Sequence, residues 1–217
     1  MTIEYEFVNV DTNLATQVFV TNGRATQPVQ NCDGTPATEG GFYYTPWQFL
    51  NASQGAREYF SFSEGMAIVA RVAGTSSPLA PSPLTPVFPG RRYLAFPGQA
   101  TMQVADLGEA DSDAVAVVAA PTCVNPHALA IDWYLGSARV GLTEPLQPVT
   151  TARFQAGEIL LFQPAPPENP PQRFTPAELA GAVRYRAPSY ALRVKTTFSR
   201  QPGSGPSYNF SPHSAAT

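Results

Sequence analysis

The sequence predicts an all-β fold, an antiparallel two-sheet β-sandwich of jelly-roll type, with one short helical turn near residues 175–181. Three observations predict it. Along Tyr190 to Arg200, the residues Tyr190, Leu192, Val194, Thr196 and Phe198 fall on one side, and Ala191, Arg193, Lys195, Thr197 and Ser199 on the other. A period of two over that length fits a half-buried strand and not a helix. Similar short segments recur about a dozen times at roughly 10–15 residue spacing, as in all-β domains. The 23 prolines and 16 glycines punctuate them, and no segment sustains a helical period.

Taken in order, Ile3, Tyr5 and Phe7 alternate with Glu4 and Glu6, which predicts a strand from Ile3 to Val10. Val8 and Val10 break its phase, the mark of a bulge or of burial on both faces. Gln17 to Thr21 is a second strand, and Asn22-Gly23 after it is the dipeptide that type I′ hairpin turns favour. Residues 27–41 read as turns. Phe42 to Phe49 is the densest aromatic cluster. Arg57–Phe62 and Met66–Val72 are expected to pair across Glu64-Gly65. Gly74 to Gly90 holds five prolines, Pro78, Pro81, Pro83, Pro86 and Pro89, and reads as an extended connection.

In the second half, Arg92–Phe96, Thr101–Asp106, Ala114–Ala119, Ala128–Leu135, Ser137–Leu142, Thr150–Phe154 and Ile159–Gln163 read as strands. Pro164 to Pro171 is another proline-rich connection. Thr175, Pro176, Glu178 and Gly181 spell a capping box, a first-turn proline and a stop, hence the helical turn. Val183–Arg186 is expected to pair with Tyr190–Arg200 across Ala187-Pro188-Ser189. The domain reading is a single sandwich over 1–200, with 74–90 as the place for any subdivision, and a Pro/Gly/Ser-rich tail over 201–217.

Composition narrows the function. A chain of 217 residues buries a core without staples. Only 13% of residues are charged, about half the usual fraction. The surface is therefore built from neutral polar side chains, which suits coats, lectins and packed assemblies. A net charge of −3 selects neither nucleic acid nor membranes. Lys195 is the single lysine among 13 basic residues. Met1–Glu6 lacks the basic and apolar regions of a signal peptide, and no apolar stretch is long enough to span a bilayer. The expectation is synthesis in the cytoplasm. Cys32 and Cys123 are then expected as free buried thiols, with a single disulfide as the alternative.

Four groups of residues are candidates for chemistry. Asp106, Glu109, Asp111 and Asp113 place four carboxylates within eight residues, hard oxygen ligands of the kind Ca²⁺ takes, though without the spacing of an EF-hand. A solvated acidic turn is the plainer reading. Cys123, His127 and Asp132 hold the elements of a thiol nucleophile, a base and an orienter, but so close in sequence that a buried Cys and a satisfied His explain them better. Tyr43, Tyr44 and Trp47 are the rings of the aromatic cluster suited to stacking on sugars, against a core reading for Phe42, Tyr44 and Phe49.

The last group is basic: Arg184, Arg186, Arg193 and Lys195 each alternate with apolar neighbours and are expected to share one exposed face. Capture of a polyanion is one reading. Pairing with Glu4 and Glu6 is the preferred one, and it requires the first and last strands to be adjacent in one sheet. The functional expectation is a non-enzymatic structural or assembly subunit, a homo-oligomer acting through its packing surfaces. A carbohydrate-binding module, with or without Ca²⁺, is the alternative.

Overall fold

The computed structural model describes residues 2–10, 16–31, 33, 35, 41–46, 48–52, 54–63, 65–74, 77–110, 114–119, 127–162, 173–200 and 206–214. It is all-β, with 16 strands and no helix among these residues. The strands form three sheets packed on one another.

Sheet I runs β5 (Arg57–Ser63), β1 (Thr2–Asn9), β15 (Arg193–Arg200), β16 (Pro206–His213). Sheet II runs β4 (Gln48–Ala52), β2 (Thr16–Gln30), β13 (Thr151–Phe162), β10 (Val115–Ala119), β8 (Arg91–Pro97), β9 (Met102–Glu109), with β14 (Val183–Arg186) also on β13. Sheet III runs β3 (Gly41–Tyr44), β12 (Ala138–Leu146), β11 (Leu129–Leu135), β6 (Met66–Val72), β7 (Thr85–Val87). Two pairings, β1 with β15 and β8 with β10, are parallel, so the sheets are mixed where a wholly antiparallel pair of sheets was expected.

One continuous cluster of buried apolar residues joins the three sheets. Between Sheets II and III, Trp133 of β11 stacks on Phe154 of β13 with centroids 4.4 Å apart, and Phe42 of β3 lies 5.8 Å from the same ring. Gly141 makes room for this layer, since a Cβ there would meet Phe42 Cζ at 2.6 Å. Inside Sheet I, Tyr5 stacks on Phe60 at 5.1 Å and Phe7 on Phe198 at 6.0 Å. Phe210 of β16 stacks on Tyr185 of β14 at 4.0 Å, which joins Sheet I to Sheet II.

Several local signals resolve differently in three dimensions. Asn22-Gly23 lies inside β2 instead of forming a hairpin turn. β13 pairs with the segment on both sides of this dipeptide, and of the three register shifts in that ladder the one opposite it falls between Gln155 and Ile159. Gly157, at φ 97°, carries that bulge. For the same reason Thr150–Phe154 and Ile159–Gln163 merge into one strand. The expected pairs Arg57–Phe62 with Met66–Val72, and Val183–Arg186 with Tyr190–Arg200, are divided between sheets: β5 and β15 join β1, whereas β6 joins β11 and β14 joins β13. A short link permits a hairpin but does not compel it when a longer complementary strand is available.

The helical turn at 175–181 is absent. The capping box forms, with the Glu178 carboxylate accepting from the Thr175 N–H at 2.7 Å and the Glu178 N–H donating to Thr175 Oγ1 at 3.2 Å. One i→i−4 bond follows, Leu179 N–H to the Thr175 carbonyl at 3.3 Å, but the next two, Ala180 N–H to the Ala177 carbonyl and Ala182 N–H to the Leu179 carbonyl, close four-residue turns. Too few residues remain before β14 to repay helix nucleation. Residues 206–213, within the segment read as a tail, form β16 and pair along the whole of β15. The proline-rich connection 74–90 contains β7, where Pro86 sits in a three-residue strand at the edge of Sheet III. No helix among the described residues is long and apolar enough to cross a membrane.

Candidate functional site

The strongest concentration of charge with an exposed aromatic ring lies on the outer face of Sheet I. Its inner face carries Ile3, Tyr5, Phe7, Phe60, Val194 and Phe198, all buried. Alternation sends Glu4, Glu6 and Val8 of β1 to the other side, with Arg57, Tyr59 and Ser61 of β5 and Arg193, Lys195 and Thr197 of β15. Register aligns them into rows across the strands. One row reads Ser61, Glu4, Arg193, His213; the next Tyr59, Glu6, Lys195, Ser211; the third Arg57, Val8, Thr197, Asn209.

Glu6 is the centre of this face. Although it points outward, its neighbours leave it only 5% exposed. Its carboxylate accepts from Arg193 Nη2 at 3.1 Å, Arg57 Nη1 at 3.3 Å and the Tyr59 hydroxyl at 3.4 Å. Two guanidiniums and a phenol replace the water it has lost. The Arg193 guanidinium also lies 5.9 Å from the centre of the Tyr59 ring. Tyr59 itself is 52% exposed.

The expected adjacency of the first and last long strands is therefore present, and with it the pairing of Glu6 with Arg193. Lys195 stands directly opposite Glu6 yet makes no ion pair or hydrogen bond with any described residue. Arg184 and Arg186 do not share this face. They belong to β14 of Sheet II, where Arg184 Nη1 lies 3.7 Å from the Glu158 carboxylate and Arg186 stands opposite Glu158.

The aromatic cluster separates. Tyr44 is buried, edge-on to Phe42 at 4.8 Å, and its backbone bridges Phe174. Tyr43 is half-buried with the Arg173 guanidinium 4.9 Å from its ring centre. Trp47 lies outside the described residues. Of the carboxylate group, Asp106 and Glu109 lie in β9 rather than in a loop, and Asp111 and Asp113 lie outside the described residues. Arg91 donates to Asp106 from Nη2 at 2.8 Å and from Nε at 3.1 Å, and the Gly108 N–H adds a third bond at 2.8 Å. These bonds, the Arg91 ones first, hold the Asp106 carboxyl below its ordinary range.

Of the three residues with nucleophilic-triad chemistry, Cys123 lies outside the described residues, as does Cys32, and His127 is exposed. Asp132 is buried on the face of β11 opposite Trp133. Arg71 Nε donates to its Oδ2 at 3.2 Å, and Arg139 Nη1 lies 3.6 Å from its Oδ1, which has no hydrogen-bond partner among the described residues. Among the described residues no three His, Cys, Asp or Glu side chains gather as a metal site.

Buried phenols complete the electrostatic picture. Burial first, and then the neighbouring Tyr185 phenol, push the Tyr5 hydroxyl far above the ordinary tyrosine range, and burial does the same for Tyr208. A raised folded value means that the stability these groups contribute is whole below the unfolded phenol range, about pH 10, and is lost as pH climbs beyond it. An alkaline titration followed by phenolate absorbance and far-UV circular dichroism is expected to release the last phenolates only with loss of the strands. A complete titration with the strands intact would contradict the burial of Tyr5 and Tyr208.

Arg57 and Tyr59 were not singled out from the sequence. The signal was present: Arg57, Tyr59 and Ser61 alternate with Glu58 and Phe60, which places the first three on one face. Comparison of the chain with protein-family profiles, curated proteins and solved structures finds no match.

Proposed function

We propose that the protein is a non-enzymatic structural or assembly subunit, a sandwich of the jelly-roll kind that associates with copies of itself through exposed apolar side chains. The observation that carries the reading is the exposure of three such residues between Leu84 and Leu107, in or beside β7, β8 and β9. Phe88 is 63% exposed, Leu107 52% and Leu84 51%. The Phe88 N–H donates to the Tyr93 hydroxyl at 3.0 Å, and Leu107 sits at the register shift opposite the backbone of Arg92 and Tyr93. Large apolar residues left in water mark association surfaces where they form a patch.

The strand edges support association through such surfaces rather than through added strands. The edge strand β7 carries Pro86, β9 carries Asp106 and Glu109, and the backbone of β3 is capped by Phe174. These are the devices that discourage edge-to-edge pairing. Sedimentation velocity over a concentration series tests the reading. Self-association is expected, and Phe88→Asp is expected to weaken it by about tenfold or more, the worth of one buried aromatic side chain. A strictly monomeric particle at high concentration would remove the proposal. For the second reading, carbohydrate binding, the Phe42–Phe49 cluster offers a buried Tyr44 and a half-buried Tyr43, with Trp47 outside the described residues. The exposed ring of Tyr59 favours a different surface for it.

A further inference from the structure

We infer that the outer face of Sheet I binds an acidic oligosaccharide, a chain of pyranose rings bearing carboxylates, with Tyr59 stacking on one ring and Lys195 meeting a carboxylate. The inference rests on the carbohydrate reading and is independent of self-association. Three observations carry it.

The first is the Tyr59 ring. It is half exposed and held in place from below, by its hydroxyl bond to Glu6 at 3.4 Å and by the Arg193 guanidinium 5.9 Å from its centre. A flat ring fixed in advance loses little entropy when a sugar face packs on it. The second is Lys195, a cation with no partner among the described residues, in the same register row as Tyr59. The two side chains start two strands apart, roughly 10 Å, a span that two linked pyranose rings cover. The third is the set of polar residues in this row and the next. Thr197, Asn209 and Ser211 present two hydroxyls and an amide on the same face, groups that both donate to and accept from sugar hydroxyls.

The charge pattern selects this ligand over nucleic acid. A phosphate backbone carries a charge at every nucleotide and is held by several uncommitted cations. Here Arg57 and Arg193 are both spent on Glu6, Lys195 is the one Lys or Arg free of such a bond among the described residues of the face, and the exposed Glu4 carboxylate in the next row stands against a densely charged strand. Spaced carboxylates on a hydroxyl-rich chain match one ammonium and a set of polar residues.

Isothermal titration with galacturonate oligomers tests it, against neutral galactan oligomers and a single-stranded oligonucleotide. The acidic sugar is expected to bind more tightly than the neutral one. Tyr59→Ala is expected to weaken it about tenfold, Tyr59→Phe to leave it nearly intact, and Lys195→Gln to weaken it up to about fivefold, the upper range for an exposed ion pair. Tyr43→Ala is expected to change nothing. Tyr59 is exposed and Lys195 half-buried, and unchanged denaturation midpoints show that the variants fold. If the sugar binds but responds to Tyr43→Ala and not to Tyr59→Ala, the carbohydrate reading stands and this site falls. If no sugar binds, both fall. If the oligonucleotide binds as tightly and Tyr59→Ala leaves that binding unchanged, the face is a nucleic-acid surface and the inference is overturned.

Discussion

Trp133→Ala is expected to destabilise the protein by about 3–5 kcal/mol, the usual cost of emptying a large aromatic site in a closed core. Trp133 is fully buried at the contact of Sheets II and III, stacked 4.4 Å from Phe154, which in turn touches Phe42. Removing the indole therefore strips one partner from a three-ring stack that joins β11, β13 and β3. A loss of this size is a large share of the stability of an ordinary domain. The measurement is the urea midpoint, followed by far-UV circular dichroism so that loss of the indole signal does not intrude. Trp133→Phe is the control. The indole N–H has no hydrogen-bond partner among the described residues, so phenylalanine gives up packing volume but also removes an unsatisfied donor. It is expected to cost less than half as much as alanine. Equal losses for both substitutions would show that the stack is not what holds the sheets together.

Glu6→Gln is expected to cost about 1–3 kcal/mol, less than the full price of an orphaned buried charge because one of its two partners faces water. The Arg193 side chain is 21% exposed and that of Arg57 59%, so Arg193 suffers more when its carboxylate goes. A double-mutant cycle separates the two. Coupling between Glu6→Gln and Arg193→Met is expected to exceed coupling between Glu6→Gln and Arg57→Met, since exposed pairs rarely exceed about 1 kcal/mol. Both cycles reporting no coupling would mean that water, not the arginines, compensates Glu6. The outcome also bears on the sugar face, because the same carboxylate fixes the Tyr59 hydroxyl and the Arg193 guanidinium. Loss of Glu6 is thus expected to loosen the platform without removing either Tyr59 or Lys195.

Several features of this fold were written into short stretches of chain. The alternation of Ile3, Tyr5 and Phe7 against Glu4 and Glu6 is local, and it names the inner and outer faces of β1 correctly: the first three are core. The complementary charges on the first and last long strands were enough to expect them side by side, and Glu4 stands opposite Arg193 and Glu6 opposite Lys195. The closest contact is nevertheless the diagonal one, Glu6 to Arg193, a choice made by side-chain reach rather than by register. Glu6 itself shows the limit. Its outward position was legible, but its burial depends on Arg57 and Tyr59, which arrive from a strand fifty residues away.

What the sequence determined by itself was the β character of the chain, the positions of most strands and the sidedness of β1 and β15, because those follow from spacing within a few residues. The alternation read from Tyr190 holds only from Arg193, since ahead of the strand Tyr190 and Leu192 are exposed and Ala191 is buried. Tertiary structure alone decided which strands are neighbours. Asn22-Gly23 became part of a long strand, β5 and β6 went to separate sheets, and β14 and β15 did the same. Pairing is a competition among all extended segments for backbone partners and for a shared dry interior. No local pattern carries the energies of the competitors, so the winner is settled only when the whole chain packs.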